Sequence, residues 1–222
     1  MPADYAQTRD RVETYFDQTA TQTWERLTSD APVSRVRQTV RAGRDKMRAL
    51  MLAQLPRDLQ GARVLDAGCG AGQMTAELAA RGAEVVAVDI SPALLQIAAR
   101  RLPAELAPRV RFVAGDMTDT SLGPYDFALA MDSLIYYNAA DISGVLAKLG
   151  KPAQKVVFTI APASPLLTLA WNAGKLFPRA DRAPTMQPHK FSRLQVACGG
   201  RLARVGRISA GFYTSDCLEY RA

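Results

Sequence analysis

Short apolar runs alternate with helical segments along most of the chain. From residue 62 onward, the apolar runs have the length of β-strands and are rich in β-branched residues. Stretches with the character of helices separate them, and this alternation is typical of βαβ units. The pattern predicts fold class α/β, with a doubly wound, Rossmann-like and mostly parallel sheet. The predicted strands are residues 63–66, 84–89, 110–114, 125–131 and 155–160.

Capping residues mark where the helices between these strands begin and end. Ser91 and Pro92 suit the cap and the first helical position, because a Ser hydroxyl accepts a backbone N–H and Pro lacks one. Gly82 suits the end of the preceding helix. The predicted helices are residues 73–81, 92–102, 141–148 and 191–198.

The C-terminal pattern differs from the rest of the sheet. Residues 201–209 and 212–220 are separated by Ala210 and Gly211, which predicts an antiparallel pair of strands at the sheet edge. Before them, residues 161–190 are rich in proline and contain an apolar stretch that is too short to span a membrane. We interpret this region as an insertion that covers the substrate.

The first 60 residues are helical by pattern and basic. Arginines between positions 35 and 48 are interleaved with apolar residues such as Val36, Val40 and Met47. This pattern predicts a helical arm or lid over residues 1–60, followed by one α/β domain over residues 61–222. The alternative is a solvated charged face on helices that pack beside the sheet.

Composition narrows the class of protein. The chain has 222 residues, 48% of them hydrophobic, which suits one soluble catalytic domain. The chain shows neither an apolar run long enough to span a bilayer nor an export signal at its start. Cys69, Cys198 and Cys217 are scattered, without C-x-x-C spacing. We therefore expect a cytoplasmic protein. The net charge of +7 favours nucleic acid, anionic lipid or an acidic small molecule as partner.

The first predicted strand leads into a glycine-rich loop. Such a loop lets the backbone approach a ligand and directs helix N-terminal N–H groups at it. Gly68, Gly70 and Gly72 have the spacing G-x-G-x-G, whereas the dinucleotide fingerprint G-x-G-x-x-G requires a third glycine where Gln73 stands. A nicotinamide-dependent oxidoreductase is therefore the least favoured function.

This loop, together with Asp66 before it, resembles motif one of the class I S-adenosylmethionine-dependent methyltransferases. The resemblance implies S-adenosylmethionine as cofactor and S-adenosylhomocysteine as product. It also implies that Asp89, at the end of the second strand, accepts hydrogen bonds from both ribose hydroxyls. Asp116 and the backbone N–H of Met117 are implied to lie at the adenine. The implied cofactor-binding residues are Asp66, Gly68, Gly70, Gly72, Asp89, Ile90, Asp116, Met117 and Asp132.

Two of these acids have a simpler alternative explanation. Asp116 is also suited to forming a turn, and Asp66 to bracing the loop. After the fourth strand the chain lacks an N-P-P-Y-type motif, which amino-methylating DNA enzymes use to hold a flipped base. We therefore expect no nucleic-acid partner despite the positive charge.

Several short stretches outside the loop form a second pattern. They are Tyr15-Phe16-Asp17, Trp24-Glu25-Arg26, Asp132-Ser133-Leu134-Ile135-Tyr136-Tyr137, Leu176-Phe177-Pro178, Gln187-Pro188-His189-Lys190 and Gly211-Phe212-Tyr213-Thr214-Ser215. With them the whole chain resembles the magnesium-protoporphyrin IX methyltransferases of bacteriochlorophyll and chlorophyll synthesis. The resemblance implies methyl transfer to one propionate of the magnesium porphyrin, giving the monomethyl ester. The magnesium then belongs to the substrate, and we expect no metal site in the protein.

The chemistry of this reaction requires no dedicated base. A propionate with a pKa near about 4.3 is ionised at neutral pH, so the main task is to align it with the sulfonium. Tyr136 could donate a hydrogen bond to this carboxylate, and packing in the pocket is the alternative role. Relatives from oxygenic phototrophs carry His at this position and Tyr near the position of Thr28. His189 is expected to contact the carboxylate or the magnesium, with a surface position as the alternative.

Aromatic residues are candidates for covering the flat porphyrin ring. They are Trp24, Trp171 and Phe177, and core packing is the alternative role for each. The resemblance further implies contact with the magnesium chelatase and weak peripheral association with pigment membranes. Two other functions stay open: a methyltransferase for another small acceptor such as a quinone or amine, and a noncatalytic porphyrin-transfer module. The intact glycine loop disfavours the second of these.

Overall fold

The computed structural model describes residues 5–19, 25, 28, 34–163 and 185–221. Its centre is a sheet of seven strands in the order β3-β2-β1-β4-β5-β7-β6. Strands β1 to β5 are parallel, and β7 pairs antiparallel with both β5 and β6. This topology confirms the predicted fold class and the antiparallel edge pair. The strands are β1 (Arg63–Ala67), β2 (Glu84–Asp89), β3 (Val110–Ala114), β4 (Phe127–Ala130), β5 (Lys155–Ile160), β6 (Leu202–Ala210) and β7 (Tyr213–Tyr220).

The helices of the described residues flank this sheet. They are α1 (Tyr5–Thr14), α2 (Arg35–Leu52), α3 (Gln73–Ala80), α4 (Pro92–Arg101), α5 (Ala139–Gly150) and α6 (Phe191–Ala197). A π-helical turn, Tyr15–Thr19, follows α1, and 3₁₀ segments span Ala104–Arg109 and Thr120–Leu122. Helix α5 begins earlier than predicted, because the Asn138 side chain accepts the backbone N–H groups of Ala140 and Asp141 at 2.9 Å each.

Both faces of the sheet are buried, as the near-continuous apolar strands require. Successive residues point to opposite faces, so Leu65 of β1 packs with α5 and α6, whereas Val64 packs with α2 and α3. Val156 and Val157 of β5 divide in the same way. Helices on both faces are what a doubly wound arrangement needs. Within the described ranges, no helix is both long and apolar enough to cross a membrane.

The first 60 residues divide into parts with different surroundings. Helix α2 buries Met47 and Met51 completely against β6 and β7, so this part lies beside the sheet. Residues 5–19 lie instead over the carboxyl ends of the central strands. The boundary at residue 60 stays a prediction. Residues 164–184, most of the predicted insertion over 161–190, lie outside the described residues.

A buried carboxyl group joins β1 to the helix that follows it. Asp66 is almost fully buried, and the hydroxyl of Thr75 in α3 donates a hydrogen bond to its Oδ2 at 2.6 Å. Burial raises the pKa of Asp66 to about 7, and the negative charge of Asp89 acts in the same direction against the hydrogen bond from Thr75. The pair fixes the start of α3 relative to the strand end.

The packing of α2 on the C-terminal hairpin predicts opposite effects of alanine at two helical glycines. In Gly43→Ala the new Cβ would lie 2.7 Å from Cδ1 of Tyr213. We expect a net loss of about 1–2 kcal/mol in the free energy of unfolding, because overpacking outweighs the gain in helix propensity. In Gly144→Ala, the matched control on α5, the Cβ meets nothing within 4 Å, so stability should rise slightly. Urea unfolding measures the stability of both variants. Equal gains in stability would contradict the close packing of Gly43 against Tyr213.

The raised pKa of Asp66 predicts a pH dependence of stability. Between the pKa of the unfolded chain, about 3.9, and the folded value of about 7, the folded protein binds more protons, so stability falls as pH rises. We expect wild type to lose about 2–3 kcal/mol more than Asp66→Asn between pH 5 and pH 8. Guanidinium unfolding of the ligand-free proteins at both pH values measures this difference. An equal change in stability for wild type and Asp66→Asn would contradict the raised pKa of Asp66.

Candidate functional site

A cleft opens at the carboxyl ends of β1, β2 and β4. It encloses about 910 Å³ of space between the surrounding residues, part of which is open to solvent. The loop of residues 68–72 forms one wall. Gly68 and Gly72 have φ values of 82° and 81°, and a Cβ at Gly68 would lie 2.5 Å from Cβ of Ser133. Glycine is therefore required there for both conformation and close approach.

Asp89 ends β2 and faces this loop. Its Oδ2 accepts the backbone N–H of Gly70 at 2.8 Å, and its Oδ1 accepts that of Ser91 at 2.9 Å. Burial raises the pKa of Asp89, while the backbone N–H groups of Ser91, Gly70 and Ile90 oppose the shift. Because a carboxylate oxygen has two lone pairs, both oxygens can still accept a hydrogen bond from a ligand in the cleft.

Asp116 follows β3 and binds the N-terminal segment. Its Oδ1 accepts the backbone N–H of Thr118 at 2.7 Å and the hydroxyl of Tyr5 at 2.8 Å, and its Oδ2 accepts Arg9 at 3.1 Å. Partial burial alone would raise the pKa of Asp116, but these hydrogen bonds outweigh it and lower the pKa. Met117 lines the cleft, whereas Asp116 lies outside the lining.

Residues 5–19 form the roof of the cleft. Val12 and Phe16 pack against Ala71, Leu94 and Ile97 in a small apolar cluster. This cluster places an apolar cover directly over the glycine loop.

Polar contacts secure the same roof. The carboxylate of Asp17 accepts the hydroxyl of Ser91 at 3.1 Å and the backbone N–H of Ala93 at 3.2 Å, so it caps α4 from outside. The backbone oxygen of Thr28 accepts the side chain of Gln73 at 3.0 Å, and Arg101 donates to the Thr28 hydroxyl at 2.9 Å. The roof is therefore tied to the start of α4, and Thr28, which follows the roof in the chain, is tied to α3 and to the end of α4.

Asp132 stands on the opposite wall, where β4 ends. It has a positive φ of 56°, and its backbone N–H donates to the Thr159 hydroxyl at 2.8 Å. Its Oδ2 accepts Arg44 of α2 at 2.5 Å, and its Oδ1 accepts the hydroxyl of Tyr213 in β7 at 3.1 Å. Burial raises the pKa of Tyr213, so it is a neutral donor. Asp132 is thus held by contacts to α2, β5 and β7, and the charge of its carboxylate is matched by Arg44.

Tyr136 and His189 have different surroundings. Tyr136 lines the cleft and meets Phe16 edge to face, with ring centroids 6.1 Å apart. Burial, with the charge of Asp132, raises the pKa of Tyr136, so it is neutral at physiological pH. His189 lies outside the lining, with Nε2 2.9 Å from the carbonyl oxygen of Tyr137. Burial lowers the pKa of His189, against this hydrogen bond.

The structure brings most of the predicted site residues to one cleft. Gly72, Asp116 and His189 are outside its lining, and Trp24, Trp171 and Phe177 lie outside the described residues. The predicted residues that line it are Asp66, Gly68, Gly70, Asp89, Ile90, Met117, Asp132 and Tyr136.

Other lining residues were not predicted from the sequence. Tyr5, Val12 and Phe16 come from the roof, and Arg44 and Arg48 come from α2. The four-residue spacing of Val12 and Phe16 was the available sign of a buried helical face. In the described ranges, no three His, Cys, Asp or Glu side chains are grouped as a metal site would require.

Two family models match the chain. One, described as the magnesium-protoporphyrin IX methyltransferase C-terminus, matches residues 130–222. The other, described as a methyltransferase domain, matches residues 64–152. The second match covers the glycine loop and the strands that carry Asp89 and Asp116.

Individual relatives match over nearly the whole chain. The magnesium-protoporphyrin O-methyltransferase of Rhodobacter capsulatus is 58% identical over 223 residues, covering 100% of both chains. The Synechocystis protein of that name is 31% identical and covers 94% of each chain. A crystal structure of magnesium protoporphyrin IX methyltransferase from Synechocystis with bound SAH has a TM-score of 0.80 at 29% identity, covering 97% of this chain and 100% of that one. These similarities confirm the resemblance found in the sequence, and the chain belongs to the magnesium-protoporphyrin O-methyltransferase family.

Proposed function

We propose that the protein transfers a methyl group from S-adenosylmethionine to a propionate carboxylate of magnesium-protoporphyrin IX. The products are the monomethyl ester and S-adenosylhomocysteine. The observation that carries this proposal is the similarity to the Rhodobacter capsulatus protein along 100% of both chains. That similarity includes the roof and α2, which contribute lining residues to the cleft, and the C-terminal hairpin, whose Tyr213 holds Asp132. It therefore goes beyond the cofactor half shared with other methyltransferases.

The cleft fits S-adenosylmethionine at one end. We assign the ribose hydroxyls to the carboxylate of Asp89, whose two oxygens keep free lone pairs. Gly68 and Gly70 leave room for the methionine part, and Ile90 and Met117 flank the adenine. Asp116 then acts at the adenine end while it holds Tyr5 and Arg9 of the roof. Asp66 and Gly72 support the loop from beneath and from its helical end.

The reaction is a single displacement. S-adenosylmethionine supplies an electrophilic methyl group on a positively charged sulfur. A propionate oxygen attacks the methyl carbon, the carbon–sulfur bond breaks, and its electron pair stays on sulfur. Because the propionate is already ionised at neutral pH, with a pKa near about 4.3, no protein group has to remove a proton. The work of the protein is alignment and exclusion of water.

Two features of the described wall suit an anionic acceptor. Tyr136 is a neutral hydroxyl donor in the cleft, which we propose orients the reacting carboxylate. Arg44 matches the charge of Asp132, with both side chains largely buried. Without that pairing, Asp132 would repel the incoming carboxylate.

The surrounding segments complete the site in this proposal. The roof of residues 5–19 excludes water through Val12 and Phe16. We propose that the rest of the arm and the insertion over 161–190 cover the ring, with Trp24, Trp171 and Phe177 against its faces. His189 acts as a positioning residue, because its ring hydrogen bond goes to the carbonyl of Tyr137, next to Tyr136.

We further propose peripheral association with an anionic membrane. Phe212 at the β6–β7 turn is 79% exposed, and Val36 in the first turn of α2 is 48% exposed. The two elements meet where Gly211 lies against Thr39, and the neighbouring Arg35 is exposed. Exposed apolar side chains beside positive charge suit an anionic lipid surface. We also propose that the magnesium chelatase passes the porphyrin directly to this protein, because the porphyrin is poorly soluble.

A methyl-transfer assay resolved by mass tests the reaction. We expect the protein with S-adenosylmethionine to convert magnesium-protoporphyrin IX to a monomethyl ester, and metal-free protoporphyrin run in parallel defines the need for the metal. Tight binding of S-adenosylhomocysteine without any ester would indicate a methyltransferase for another acceptor, such as a quinone or amine. Porphyrin binding with neither transfer nor cofactor binding would indicate the noncatalytic module.

Replacing the proposed ribose acceptor should weaken cofactor binding. In Asp89→Asn, the amide retains one acceptor oxygen and presents an NH₂ group where the other was, so it cannot serve both the loop and the ribose. We expect Kd for S-adenosylhomocysteine, measured by calorimetry, to rise roughly 10- to 100-fold. The control Asp58→Asn changes an exposed acid outside the cleft and should leave Kd unchanged. Equal affinities for the two variants would refute the assignment.

A further inference from the structure

A second cleft lies on the other side of Tyr136. It encloses about 480 Å³, part of it open to solvent, and its described lining residues are Thr8, Arg11, Tyr136, Thr185 and Gln187. Tyr136 is the one described residue that lines both this cleft and the cofactor cleft. The ring of Tyr136 is therefore their common wall. A molecule that presents one group to the cofactor can place a neighbouring group in the second cleft.

The second cleft has the chemistry of an anion site. Among its described lining residues, Arg11 is charged and none is acidic. Among the described residues, the hydrogen-bond acceptors of Arg11 belong to its own helix: the carbonyl oxygen of Gln7 at 3.3 Å and the hydroxyl of Thr8 at 3.2 Å. Arg9, two residues earlier, is paired with Asp10 and Asp116, whereas Arg11 forms no ion pair within the described ranges. Its positive charge is thus uncompensated beside a polar cavity.

The proposed substrate has two propionates on adjacent pyrrole rings, side by side along one edge of the macrocycle. When one propionate faces the sulfonium in the cofactor cleft, the other must lie next to it, within a few bond lengths of the dividing wall. We infer that the second cleft holds the propionate that is not methylated, with Arg11 as its counter-charge. This inference rests on the proposed function and assigns the second carboxylate of the same substrate.

The assignment explains how the enzyme would stop at the monoester. For a second methylation, the remaining propionate would have to face the sulfonium while the esterified one occupied the second cleft. A neutral ester can accept a hydrogen bond from the guanidinium but cannot form an ion pair with it, so Arg11 would lose its ionic partner. Arg11 is therefore a specificity-determining residue: it favours the diacid over the monoester as acceptor.

Substitution of Arg11 tests this role through the split between KM and kcat. In Arg11→Met the side chain keeps a flexible unbranched stem and loses its charge. We expect KM for magnesium-protoporphyrin IX to rise roughly tenfold, with little change in kcat because Arg11 lies outside the cofactor cleft. The preference for the diacid over the monomethyl ester, measured as the ratio of kcat/KM values, should fall by a similar factor. Diester formation, resolved by mass, should rise relative to monoester.

Two further variants separate charge from structure. Arg11→Lys keeps the charge and should retain most of the preference for the diacid. Arg57→Met removes an exposed arginine that lines neither cleft, and it should behave as wild type. Unchanged affinity of Arg11→Met for S-adenosylhomocysteine would show that its fold is intact.

The experiment distinguishes failure of the assignment of Arg11 from failure of the proposed function. Ester formation by wild type together with an unaltered diacid preference in Arg11→Met would overturn the assignment of the second cleft alone. Equal loss of kcat/KM for the diacid and the monoester would do the same, since it would indicate a general effect on the roof. No ester from wild type would overturn the proposed function, and the role of Arg11 with it.

Discussion

The site depends on the point in the sheet where the chain changes direction. Strands β2 and β3 lie on one side of β1, and β4 and β5 lie on the other, so the segments after β1 and β4 diverge and leave a crevice at their carboxyl ends. The hydroxyl of Ser133, after β4, donates to the carbonyl oxygen of Ala67 at 2.9 Å and holds the two strand ends together at its base. Gly68 gives that serine the room it needs. Both the cofactor loop and the wall of Asp132 are positioned by this junction.

Four acids surround the crevice, and the structure treats each differently. Asp66 is buried with a pKa of about 7, Asp116 is paired with Arg9, and Asp132 is paired with Arg44. Asp89 receives only backbone N–H groups among the described contacts. The charges of Asp116 and Asp132 are thus balanced by arginines, whereas Asp89, at the end of β2, has no ion pair among the described contacts. Methyl transfer from a sulfonium to a carboxylate removes one positive and one negative charge, so excluding water from the reacting groups speeds the reaction relative to the same reaction in water.

Local signals were sufficient to predict the sheet and the loop. Strands β2, β3 and β5 have the predicted bounds, because their apolar runs are continuous and end at residues with clear turn or helix-start chemistry. The glycine spacing and the helix cap at Ser91 are equally local. Contacts between distant residues could not be predicted in this way: Arg44 meets Asp132 across 88 residues, and Tyr5 meets Asp116 across 111. Helix α2 is basic along its length, and only the tertiary packing selects Arg44 to face inward.

The wall formed by Tyr136 shows why the protein can work without an acid–base pair at the acceptor. Its hydroxyl has a raised pKa, and the Thr28 hydroxyl is bound to Arg101. Neither group exchanges a proton near neutral pH. His189 lies outside the lining of the cofactor cleft and directs its Nε2 at the carbonyl oxygen of Tyr137. In the proposed reaction the acceptor arrives ionised, so a fixed neutral donor such as Tyr136 meets the requirement and no base is needed. The proposed reaction therefore requires the site to orient two groups and to exclude water.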